Sequence, residues 1–183
     1  MTAPAAPAAP LAPAALADRL RATSFLAGLP DGHVWRLSRA MTVEEFPDEA
    51  ALFEEGAPRR FLAVLLAGSV SLEKSAEGRA VRLTTFGPGE ALGEGLLLGD
   101  TAAHGTTARA LGPVTAAVLT KAAMEELLKE APPAYAALVA RAARAIAARL
   151  RAADATLVGH GRAMGFTGGG TRREHDLLGE REV

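Results

Sequence analysis

The chain has 183 residues, 20 Lys and Arg against 21 Asp and Glu, and a formal net charge of −1. A balance so close to neutral supplies no global field toward nucleic acid or an anionic membrane surface. The lack of any cysteine excludes a disulfide scaffold and thiol chemistry and suits a cytoplasmic protein. No apolar run approaches the roughly 20 residues that span a bilayer, and the start of the chain lacks the basic head and apolar block of a signal peptide.

Met1 to about Ala17 repeats Ala-Ala-Pro, with prolines at positions 4, 7, 10 and 13. Prolines at that spacing forbid a continuous helix and favour an extended, disordered leader over residues 1–17. Ala17–Leu29 then reads as largely helical, with Leu20, Phe25 and Leu29 as core contacts, and Pro30 stops it. Asp31 is expected to N-cap a second helix, Gly32–Ala40, with Val34, Trp35 and Leu37 facing inward. Strand signals follow in short units: Met41–Phe46, Ala51–Phe53, Phe61–Leu66, Ser69–Lys74, Arg79–Phe86, Thr106–Leu111 and Val114–Leu119. Gly68 and Gly112-Pro113 are among the turns between them. Many short strands with regular turns point to an antiparallel sandwich, barrel or jelly roll. A metal-binding jelly roll needs clustered ligands, and His33, His104, His160 and His175 are far apart in sequence, so no metal is expected.

Thr120 is placed to N-cap a helix over Lys121–Glu130, which Pro132-Pro133 ends. A long helix over Ala134–Val158 follows. Its residues Tyr135, Val139, Ala142, Ile146, Leu150, Ala153 and Leu157 form an apolar seam suited to pairing with a second helix. Arg141, Arg144, Arg149 and Arg151 read as a solvated face, since neither aromatics nor a positive field accompanies them, and no nucleic-acid or membrane partner is expected. Residues 159–170 are a glycine-rich linker ending in Gly168-Gly169-Gly170.

The densest motif is Gly87–Ala110, GPGEALGEGLLLGDTAAHGTTARA. It reads as a glycine turn, a short apolar helical turn over Gly93–Leu98, a loop and a strand. Glycines let the backbone come close to a ligand, and backbone N–H groups at the helix start would point into that space. Glu94 adds an acceptor, and hydroxyls follow at Thr101, Thr106 and Thr107.

This stretch resembles the phosphate-binding cassette of cyclic nucleotide-binding domains, the module of the catabolite activator protein and of cyclic-nucleotide-gated channels. Gly93-Glu94 and His104-Gly105-Thr106 fall on that pattern without a gap. The resemblance implies an α+β fold over residues 18–158: a jelly-roll-like antiparallel β-roll flanked by N-terminal helices, with a long C-terminal helix at 134–158 that forms a homodimer. It implies cyclic AMP or cyclic GMP as ligand, held by Gly93, Glu94, Gly95, Leu97, His104, Gly105 and Thr106. His104 stands where the family has the arginine that grips the cyclic phosphate, Gly105 replaces the hydroxyl residue after it, and Leu96 stands at a small-residue position. An arginine offers a charged bidentate fork that an imidazole lacks. A leucine at 96 is expected to crowd the backbone where phosphate approaches. A degenerate module that serves oligomerisation is therefore the alternative reading.

The tail, Thr171–Val183, carries a second resemblance. Arg172, Glu174, Asp176, Leu177, Leu178, Gly179, Glu182 and Val183 fill, in order, the N-terminal pattern of aspartate ammonia-lyases. That family continues with proline and its catalytic body. The resemblance implies that residues 171–183 begin a lyase domain in a longer protein and that the cassette domain regulates it. No catalytic residue is assigned within residues 1–183; Glu174, His175 and Asp176 read as part of the lyase's leading arm, not as a triad.

Overall fold

The computed structural model describes residues 6–7, 11–99 and 102–163. The chain divides into two compact units, Met1–Ala147 and Ala148–Val183. The glycine-rich linker expected over 159–170 does not begin at 159, since residues 159–163 continue the last helix, Pro132–Ala163. The rest of that linker and the lyase-like tail expected over 171–183 lie outside the described residues.

A two-residue strand β1 (Ala6–Pro7) precedes helix α1 (Pro13–Arg21). The helix begins inside the expected leader, because proline at the first helical position needs no N–H partner and has its φ already set. Leu16 and Ala17 are buried on it. It ends at Arg21, so Phe25 and Leu29 reach the core from a turn, not from a continuing helix. Helix α2 (Asp31–Ala40) starts one residue earlier than expected, with Pro30 in the cap position and no side-chain cap bond. Asp31 instead accepts from Arg21 Nε at 2.7 Å, a contact that raises the guanidinium's affinity for its proton. Trp35, expected inside, is 41% exposed; Val34 and Leu37 fill the core side of α2.

Strands β2 (Thr42–Phe46), β3 (Ala51–Phe53), β4 (Phe61–Ala76), β5 (Arg79–Phe86), β6 (Ala91–Leu92) and β7 (Thr107–Thr120) form one antiparallel system ordered β1-β2-β7-β4-β5, with β3 on β7 and β6 on β4. β4 and β7 are each continuous where two strands were expected. Their register shifts between Ala67 and Ser69, and pairing resumes from Ser69↔Leu111 onward. Gly68 (φ +80) and Gly112 (φ +73) bend both strands together at this corner. A Cβ at position 68 would meet the Pro113 carbonyl oxygen at 2.3 Å, so only glycine fits the crossing.

Alternation along β4 and β7 divides the interior into two clusters. Leu62, Val64, Ala117 and Leu119 face Leu16, Leu20, Leu26 and Leu37 on the helical side. Ala63, Leu65, Ala116 and Val118 join Phe46, Leu52, Phe86 and Val114 inside the roll. Helix α3 (Lys121–Glu130) is capped as expected, with Ala123 N–H donating to Thr120 Oγ1. Helix α4 (Pro132–Ala163) uses Pro132 as its first residue. Ala134, Leu138 and Ala142 bury its inner face, flanked by partly buried Tyr135 and Val139. Arg141 departs from the solvated face expected of it: its side chain lies against the Gly28 turn, with Nε buried and without a hydrogen-bond partner among the described residues.

Candidate functional site

The cassette rests on one segment, Ala57–Phe61, which leads into β4. At its front, Gly93 (φ +84) presses against this segment so closely that a Cβ would lie 2.4 Å from the Phe61 carbonyl oxygen. At its rear, His104 N–H donates to the Ala57 carbonyl and Gly56 N–H donates to the His104 carbonyl, both at 2.8 Å. Arg59 Nε donates to the Ala102 carbonyl at 3.1 Å. Sequence reading missed Arg59, because no helical or strand periodicity marks the Gly56–Arg60 turn.

The front half is a five-residue 3-10 turn, Glu94–Leu98, between left-handed Gly93 and Gly99. Glu94 is only 4% exposed, the sole acidic side chain buried to that degree among the described residues. Leu96 does not crowd the backbone as expected: it is buried with Leu97 in the helix-side cluster. Nor does the turn leave all its leading N–H groups open, since Leu96 N–H donates to the Gly93 carbonyl at 3.2 Å. Gly95 remains partly exposed. Tyr135 of α4 donates its hydroxyl to the Leu97 carbonyl at 3.3 Å, a direct tie between the cassette and the long helix.

The rear half is built differently. His104 is 5% exposed, and its imidazole stacks on Phe53 with ring centroids 3.8 Å apart and planes 9° from parallel. Phe53 packs against the roll's interior cluster, so His104 is part of the hydrophobic structure. Gly105 is exposed and Thr106 partly exposed. Lys74 Nζ bridges the Gly105 carbonyl (2.8 Å) and Glu55 Oε1 (2.5 Å), and this contact holds the Glu55 carboxyl below its ordinary pKa. Arg109 of β7 is engaged by the Glu49 carbonyl (2.7 Å) and Glu73 (3.4 Å). Gly93 and His104 are thus brought to one segment, while Leu97 packs into the helix-side core.

A β-roll between short helices thus carries a glycine-flanked cassette that is tied to the following long helix. The family model described as cyclic nucleotide-binding domain matches residues 43–131. No curated protein matches the chain. Among solved structures, a cyclic nucleotide-binding domain from Methylobacillus flagellatus aligns at 21% identity over 79% of this chain and 82% of its own, with TM-score 0.69. The N-terminal domain of a transcriptional regulator from Streptomyces coelicolor is 31% identical over 76% and 94%, with TM-score 0.60. The regulatory subunit of a cAMP-independent protein kinase A from Trypanosoma cruzi, bound to guanosine, is similar at 23% identity over 64% and 41%, with TM-score 0.55. The chain carries a cyclic nucleotide-binding domain with the catabolite-activator-like fold. Among the described residues no helix is long and apolar enough to cross a membrane, and no His, Cys, Asp and Glu cluster could hold a metal ion.

Proposed function

We propose that this domain is a ligand-sensing regulatory module that controls an aspartate ammonia-lyase body joined at its C-terminal end. The observation that carries the sensing half of this reading is the hydrogen bond from Tyr135 on α4 to the Leu97 carbonyl inside the cassette. A ligand held by Gly93, Glu94, Gly95, Leu97, Gly105 and Thr106 acts at the turn that this bond fixes, and so biases the position of α4. Control follows if the ligand binds the two positions of the helix with different affinity. Pairing of two chains within 134–158 would transmit that bias. Tyr135, Val139 and Ala142 of the seam pack on the chain's own core, so the surface left for it lies further along, where Leu150 is 63% exposed.

The ligand class follows from the charges. A carboxylate at Glu94 with no arginine at 104 suits the hydroxyls of a neutral ribose better than a cyclic phosphate. The Trypanosoma cruzi protein of the same fold is bound to guanosine, which carries no phosphate. We therefore expect a nucleoside to bind more tightly than cyclic AMP or cyclic GMP. The second reading, a module that only oligomerises, is favoured by one observation: Leu96 and His104 both fill the domain's own core.

The test is calorimetric titration of the domain with guanosine, adenosine, cyclic AMP and cyclic GMP. It is paired with ammonia release from aspartate by the full-length protein at saturating ligand. Saturable nucleoside binding together with altered turnover supports the proposal. Silence with all four ligands and an unchanged oligomer supports the second reading.

A further inference from the structure

A second site is suggested by the groove between α2 and α3, which shares no residue with the cassette and encloses about 300 Å³. Its α2 wall carries Arg36 and Arg39, its α3 wall carries Glu126 and Glu130, and buried Leu127 lies in its floor. Spacings of three and four residues put each like-charged pair on one helix face. Glu126 accepts from Lys129 on its own helix at 3.3 Å. Among the described residues, the side chains of Arg36, Arg39 and Glu130 make no hydrogen bond or ion pair, so the walls face each other without bridging. Either wall alone would attract an ion of one sign. Facing each other across an apolar floor, they suit one small molecule that carries both charges.

We propose that this groove binds a zwitterion of α-amino-acid size. Its carboxylate lies against the Arg36–Arg39 wall, where guanidinium forks match carboxylate geometry. Its ammonium lies against Glu130, and a short apolar side chain covers Leu127. The volume falls at the small end of ligand sites. Ala131, the joint between α3 and α4, also lines the groove, so an occupant sits beside that joint.

The test is an amide chemical-shift titration of the chain with L-valine. Isovalerate and isobutylamine, which keep only the carboxylate or only the ammonium, serve as single-charge controls. The expected result is saturable shifts confined to residues 36–40 and 123–131, with both controls binding at least about tenfold more weakly. The double variant R36A/R39A and the variant E130Q should each weaken valine binding about tenfold while leaving shifts elsewhere unchanged. Absence of saturable shifts, a control that binds as well as valine, or folded variants that retain full affinity would overturn the proposal.

Discussion

The two halves of the cassette lie on the same short segment, yet they follow different physics. The front half is held by backbone: two left-handed glycines and a close approach to the Phe61 carbonyl, a shape that only glycine allows. The rear half is held by side-chain packing, with an imidazole stacked on Phe53 in the place where this family's pattern has a charged guanidinium. A backbone frame persists through changes of side chain, whereas a charged grip depends on one residue. The front of the site is thus a backbone frame, while its rear is core packing.

The front half should break hardest. Gly93→Ala places a methyl group 2.4 Å from a carbonyl oxygen at φ +84. We expect a loss of roughly 3 kcal/mol, read as a fall in thermal midpoint of roughly 10 °C. The rear half should yield more gently. His104→Ala removes a buried stacked ring at a cost of about 2 kcal/mol by chemical denaturation. A variant as stable as the natural domain would show that the stack carries no weight.

Smaller effects probe the outer ties. Tyr135→Phe deletes one hydrogen bond between α4 and the cassette and should cost about 0.5–1 kcal/mol of stability. If the tie transmits ligand state, the same change should also uncouple ligand binding from turnover by the lyase body proposed above. The smallest effect concerns the Lys74–Glu55 contact beside Gly105. Glu55 titrates below its ordinary range in the folded state, so the contact stabilises the domain above the unfolded carboxylate's pKa. That stabilisation is lost as pH falls through the folded-state value. The difference in thermal midpoint between the natural chain and Lys74→Met should accordingly be greatest near neutral pH, shrink in acid and diminish with salt.

Much of the fold was legible because its signals are local. Strand boundaries, the Thr120 cap and the position of the 3-10 turn followed from alternation, capping chemistry and glycine placement. The splitting of β4 and β7 into pairs failed for an equally physical reason. A glycine that ends a strand and one that bends two strands at a corner look the same until the partner's carbonyl is in view at 2.3 Å. Trp35 was misplaced because size and scarcity were taken to require burial, while α2 had enough apolar surface in Val34 and Leu37. At the site, sequence singled out the Gly93–Thr106 stretch, whose Gly93 and His104 meet the Ala57–Phe61 segment. The stack of His104 on Phe53 joins positions 51 residues apart and leaves no trace in spacing. Arg59 and Tyr135 reach the cassette by contacts of the same long-range kind.

The most direct measurement is the affinity of cyclic AMP for the natural domain and for His104→Arg, beside that of adenosine for both. If the frame is intact and only the charged grip is missing, the variant should gain cyclic AMP affinity by roughly ten- to a hundredfold, with adenosine little changed. Tight cyclic AMP binding by the natural domain, unimproved by the arginine, would contradict the account.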